Sequence, residues 1–208
     1  RPTNPASHPR LLDRLAEEFA GHGFDLRWLV RTIAESRTYQ LTSRGALDGR
    51  FYARAALKPL SAQVFVDAIA RVTSVAEQFE GAEEGTLATQ LIGARTPSYA
   101  LDVLGRCDRE RTCETAGGGG GLAQALHLIN GGTINQKLKG GALAAMLDAG
   151  ASNREIVREF YLRALARRPD PREERFWEEN LSQAAHRTEA AEDFVWTLLN
   201  SREFAYNH

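Results

Sequence analysis

Cysteine, methionine and net charge are all scarce in this sequence. The 208 residues hold two Cys and one Met, and 26 Lys plus Arg against 27 Asp plus Glu leave a formal charge of -1. A balance so close to zero argues against the broad basic footprint of a nucleic-acid or anionic-lipid binder. No apolar run approaches the ~18–20 residues that a membrane-spanning helix needs. The chain opens at Arg1 with neither an initiator Met nor a charged-then-apolar signal region, the pattern of a fragment or processed product. No Asn-Gly hairpin flanked by alternating strands is present. Nor is there a Ser-His-Asp ordering, a nucleophile elbow or a metal-binding carboxylate pair.

What remains is an ordinary globular composition, 43% hydrophobic and 25% charged, sufficient for one compact domain or two small ones sharing a core. The dominant period is helical. Leu11, Leu12, Leu15 and Phe19 form one stripe that stops near Gly21 and Gly23, and Asp25 then caps a helix carrying Leu26, Leu29, Val30 and Ile33. Arg44 to Pro59 has no clean period and reads as a long loop or broken helix. Ser61 caps a third helix, with Val64, Phe65, Ala68, Ile69 and Val72 facing the core. A connection from Gly81 to Pro97 has Leu87, Leu91 and Ile92 in a short extended or helical piece.

The second half is clearer. Leu122 to Ile129 is a short helix, and Ile134 to Leu147 is another, weakened by Gly140 and Gly141. Ser152 and Glu155 have capping-box spacing ahead of Ile156, Val157, Phe160 and Tyr161. Asp170, Pro171 and Glu173 are a helix start with Asp at the cap, Pro at the first position and an acid at the third. A last helix carries Ala191, Phe194, Val195, Leu198 and Leu199. The expected fold is all-α: a single helical domain of about eight helices, with Ser152 to Leu199 as a C-terminal helical hairpin or three-helix unit.

Each chemistry-bearing group has a plain alternative. The five glycines at 117–121 lack the Lys-Ser/Thr pair of a phosphate-binding loop, and a flexible linker fits them better. Cys107 and Cys113 have neither zinc-finger nor haem-attachment spacing. In an oxidising compartment they could join in a short-loop disulfide, or they remain two unlinked thiols. No two of the five histidines stand at i, i+4. His8 and His22 are expected to be exposed. His127, on a helix apolar nearly all round, is either a hydrogen-bonded core histidine or a site residue, with Gln124 and Asn130 as companions in the second case. Arg31, Arg37, Arg44, Arg50 and Arg54, with Tyr39, Phe51 and Tyr52 among them, form the densest basic-aromatic cluster. Its arginines either stack with aromatics on a ligand or cap helices and pair with carboxylates. Arg37, Tyr39, Tyr52 and Arg54 are its candidate binding residues. Glu173, Glu174, Glu178 and Glu179 read as a solvated face.

Five strings occur in order along the chain: Asn4–Asp13, Ser36–Gln40, Leu122–Gly131, Tyr161–Pro169 and Trp196–Phe204, ending at Asn207 and His208. Together they resemble the C-terminal domain of unknown function of planctomycete cytochrome-c-associated proteins, the PSD-one domain, over essentially the whole chain. The resemblance implies an exported, periplasmic or cell-surface multidomain protein with an upstream partner domain. It also implies that any haem sits in a separate module. It supplies no catalytic residues. The chain departs from the family pattern at Arg106-Cys107, where an arginine-proline step is usual, and at Gly117 to Gly121. The segment from Tyr161 to Phe204 further resembles the helical repeat of phycobilisome-linker-like modules.

Two functional classes follow. One is a non-catalytic helical module that docks on the upstream domain, an extracellular protein or a polysaccharide, with no nucleic acid as partner. The other is part of a polysaccharide-directed hydrolase whose site is shared with upstream sequence. A large exposed apolar patch would favour docking, and paired carboxylates in a cleft would favour the enzyme. No metal or other cofactor is expected in the chain itself.

Overall fold

The computed structural model describes residues 5–43, 52–55, 57–92, 96–106 and 132–207. The glycine run, both cysteines, Gln124, His127 and Asn130 lie outside the described residues, as does the helix expected at 122–129. The chain divides into two compact units, Arg1–Lys58 with His208, and Pro59–Asn207. The fold is all-α.

The first unit is built on α1 (Pro9–Gly21) and α2 (Leu26–Glu35). Asp25 starts α2 as a cap, as read in the sequence, and Pro9 starts α1. Pro9 occupies the first helical position, and Asp25 Oδ1 accepts the amides of Arg27 at 2.8 Å and Trp28 at 3.3 Å. Between the helices, Gly23 and Phe24 both adopt left-handed backbone, with φ of 64° and 61°. That conformation is strained for Phe24. It is held by the Phe24 amide on the Phe19 carbonyl at 2.9 Å and by an edge-on contact of the two rings.

The second unit carries α3 (Ala62–Thr73), α4 (Tyr99–Val103), α5 (Gly132–Leu138), α6 (Gly141–Asp148), α7 (Asn153–Leu165), α8 (Pro171–Gln183), α9 (Arg187–Leu199) and α10 (Arg202–Ala205). The short strands β1 (Lys58–Pro59) and β2 (Tyr206–Asn207) form one ladder, continued where the Leu60 amide meets the Ala205 carbonyl at 3.0 Å. The main core is an α3–α5–α6–α7–α9 assembly centred on Ile69, Ile134, Leu143, Phe160, Phe194 and Leu199. Burying each such side chain contributes about 1.5–3 kcal/mol. The three-helix unit expected from Ser152 onward is present as α7, α8 and α9, and both capping boxes form at Ser152/Glu155 and Asp170/Glu173.

Three expectations change. In α3, Val64 is exposed and Val66 takes its place in the interior, because a second cluster covers the other flank. There Ala62 and Val66 meet Phe79, Ala88, Ala100 and Leu101. Ser61 occupies the cap position of α3 without a side-chain capping bond. The helix expected over Ile134 to Leu147 is two helices, broken at Gly140 and Gly141. Gly141 has φ +62°, and a Cβ there would lie 2.1 Å from the Thr73 carbonyl oxygen, so the break lets α6 approach the end of α3.

Candidate functional site

In the first unit, α1 and α2 turn toward each other through Leu15, Glu18 and Phe19 on one side and Trp28, Leu29 and Thr32 on the other, all half-buried. This contact covers only part of an apolar arc this wide. The rest stays uncovered. Neither helix contains a fully buried residue, and Leu12, Leu26 and Val30 remain 58%, 67% and 64% exposed. Leu11, Phe24 and Ile33 are also exposed. Leu26, Val30 and Ile33 stand at i, i+4, i+7, one straight stripe along α2. On α1 the matching exposed positions are Leu12 and Ala16. In an antiparallel pair these two stripes fall on the same side of the hairpin. The result is one continuous aliphatic face, of the kind that marks an interaction surface.

Toward the turn the edges of that face carry charge of opposite sign, Asp13 and Glu17 on α1 and Arg27 and Arg31 on α2, all four exposed. At the far end the signs reverse, with exposed Arg10 in the row of Asp13 and Glu17 and exposed Glu35 one turn beyond Arg31. Arg14 is occupied on α1 itself, 2.5 Å from Glu18 and 3.9 Å from Glu17. At the turn, His22 stacks on Trp28 with ring centroids 3.9 Å apart, and its Nδ1 lies 2.7 Å from the Glu18 carbonyl oxygen.

The basic-aromatic candidates are in the same unit. Arg54 donates to the Ser43 carbonyl oxygen at 3.4 Å, so one of the arginines serves the backbone. Tyr52 lies 5.5 Å from His8, ring to ring, which makes His8 half-buried instead of exposed. Arg37 and Tyr39 are exposed beyond the end of α2.

Several charged groups of the second unit are engaged with its own backbone and carboxylates. Asp67 accepts the amides of Ala88 at 2.6 Å and Thr89 at 3.0 Å, together with the Thr89 hydroxyl at 2.7 Å. Lys137 donates to the carbonyls of Val75 at 2.9 Å and Ala76 at 2.8 Å, and lies 3.1 Å from Glu77. These two buried charges fasten the connection after α3 to α3 and α5. Sequence reading missed both; the available signal was a charged residue inside an otherwise apolar helical face. Arg167 is held by Glu173 and Glu203 through four bonds of 2.7–2.9 Å and lies 5.2 Å over the Tyr161 ring. Those contacts raise its pKa, and in return the Arg167 bond holds Glu173 below the usual carboxylate range. Desolvation pushes the Tyr161 phenol up. Arg158, then Arg154, hydrogen-bonds Glu174 and lowers it likewise. Glu173, Glu174 and Glu178 are therefore half-buried ion-pair members, not the solvated face expected. An open concavity at the start of α9 mixes both signs, with Lys139 and Arg187 beside Glu189 and Glu192.

No helix among the described residues is long and apolar enough to cross a membrane. No curated protein matches the chain, and no solved structure does. A family model described as PSD1, "Protein of unknown function (DUF1553)", matches residues 1–181. That span takes in the N-terminal hairpin, the α3 clusters and the helices through most of α8, and on it the chain belongs to the DUF1553 family.

Proposed function

We propose that this chain is a non-catalytic helical docking module. The observation that carries the reading is the aliphatic face of Leu12, Leu26, Val30 and Ile33, left uncovered on a hairpin whose fold does not use it. The face is aliphatic with charged edges, the composition of a contiguous apolar patch that suits a protein surface. The family resemblance supports placing the module in an exported, multidomain, cytochrome-c-associated polypeptide, with an upstream domain as neighbour and any haem in another module.

The test separates docking from internal support. Leu26→Glu with Val30→Glu is made in the intact chain and studied at sub-micromolar concentration by circular dichroism and thermal unfolding. A docking face predicts unchanged helix content and an unchanged melting temperature. Loss of the helix signal of α1 and α2, or a clear fall in melting temperature that is the same at every protein concentration, would mean that the stripe supports the chain's own fold.

A further inference from the structure

The geometry points to a second copy of this chain as the occupant of the hairpin face, forming a four-helix bundle of two α1–α2 hairpins. The inference rests on the docking reading above and deepens it by naming the partner.

Area is the first argument. Leu12, Leu26, Val30 and Ile33, the large side chains of the face, are each between 41% and 67% exposed. These four supply on the order of 400 Å² of apolar surface, and Ala16 with the flanking charged side chains extends one hairpin's contact toward the ~800 Å² per partner of a specific interface. Two antiparallel hairpins stacked face to face are also a standard solution for burying two apolar stripes at once.

Charge placement is the second argument, and it selects one arrangement. Two identical hairpins related by a two-fold axis can stack in two ways. With the axis across the helices, α1 lies on α1 of the second copy, and the edge of Asp13 and Glu17 meets its own image. With the axis along the helices, α1 lies over α2 of the second copy and heights along the bundle are preserved. Since α1 runs toward the turn and α2 away from it, Glu17 and Asp13 then stand alongside Arg27 and Arg31 of the second copy, twice over. Asp13, Arg27 and Arg31 make no side-chain ion pair among the described residues, and Glu17 has only the 3.9 Å approach of Arg14. The face is thus self-complementary in one orientation and self-repelling in the other.

The experiment is sedimentation equilibrium on the intact 208-residue chain, whose monomer mass is 23.0 kDa. The expected result is a reversible dimer, with Val30→Glu weakening association by at least roughly 100-fold while helix content is retained. Two charge variants test the orientation. Asp13→Arg with Glu17→Arg, and Arg27→Glu with Arg31→Glu, should each self-associate about tenfold or more weakly than the wild type, and a 1:1 mixture should recover wild-type association as a heterodimer. A monomer up to about 100 µM, or charge variants that dimerise as well as the wild type, would overturn the proposal. A monomer whose Leu26→Glu, Val30→Glu variant keeps its fold removes only the second copy and leaves the docking reading standing. A variant that loses its fold removes both.

Discussion

Replacing Gly141 with Ala isolates one steric contact, because the same chain contains a near-perfect control. Gly141 and Gly150 both hold left-handed backbone, with φ of +62° and +73°. For either, an Ala side chain carries a backbone penalty of about 1–2 kcal/mol, partly offset by about 0.4–1 kcal/mol from the stiffer unfolded chain. At Gly150 nothing lies within 4 Å of the added Cβ, so the backbone term stands alone. At Gly141 the Cβ would be 2.1 Å from the Thr73 carbonyl oxygen and 2.7 Å from Val75 Cγ2. The first of these is main chain at the end of α3 and cannot swing aside. Moving it displaces the Val75 and Ala76 carbonyls that hold the Lys137 ammonium. Forced repacking of this kind adds about 1–3 kcal/mol. Gly141→Ala is therefore expected to lose about 3 kcal/mol, and Gly150→Ala about 1 kcal/mol or less. Urea unfolding followed by circular dichroism reads the difference directly. With a slope of about 1–3 kcal/mol/M, the Gly141 midpoint should fall by about 1–3 M and the Gly150 midpoint by about a third of that or less. Equal shifts for the two variants would refute the claim that α6 needs its close approach to Thr73.

Three further outcomes follow from the buried polar contacts. Lys137→Met should destabilise by about 3 kcal/mol, since it strands two carbonyls and the Glu77 carboxylate at a site where the lysine side chain is only 7% exposed; thermal unfolding indistinguishable from wild type would count against that contact. Asp67→Ala should lose about 2–3 kcal/mol and release the Ala88–Gln90 turn, visible as faster amide exchange at Ala88 and Thr89. Arg167→Gln should reduce stability at neutral pH, and the gap to wild type should close in acid. Glu173 has its pKa depressed by Arg167, so its contribution is present above the ordinary carboxylate value of about 4.3 and is lost as pH falls through the lower folded-state value. Melting temperatures measured from pH 7 down to pH 2 decide this, and a gap that widens in acid would reverse the sign.

The C-terminal half was legible because its signals are local. The capping boxes at Ser152/Glu155 and Asp170/Glu173 fix two helix starts within a four-residue span each, and Phe160, Phe194 and Leu199 follow at helical spacing into the core. Where reading failed, the deciding partner lies far away in sequence. Val66 is preferred over Val64 because Phe79, Ala88 and Leu101 cover that flank of α3, and no period within α3 reports them. Gly141 looked like a weak spot in one helix, whereas its role depends on Thr73, sixty-eight residues earlier. Glu173 and Glu174 looked solvated because their arginines sit on α7 and just beyond its end. The hairpin face had a legible component. Leu26, Leu29, Val30 and Ile33 span an arc too wide for one partner helix. What the sequence could not say is which part of that arc α1 covers, and hence that Leu29 is tucked in while Val30 is left out.

The two units therefore differ in how their charges and apolar groups are used. In Pro59–Asn207 the buried Asp67 and Lys137 and the half-buried Arg167 each bind groups of that same unit, and each lies where a loop or helix end must be tied down. A substitution there changes folding free energy first, and any effect on binding follows from that loss. In the hairpin, Val30 and Leu26 contribute little to the packing between α1 and α2, and Arg27 and Arg31 extend beside them with no carboxylate of their own helix pair engaged. A fold gains nothing by ordering aliphatic side chains in water, and such a face favours whatever surface removes it from solvent. Substitutions on that face should move association while leaving unfolding in place, the reverse of the pattern across α3, α5 and α8. Measuring both quantities for the same variants assigns each residue to the fold or to its partner, whatever that partner proves to be.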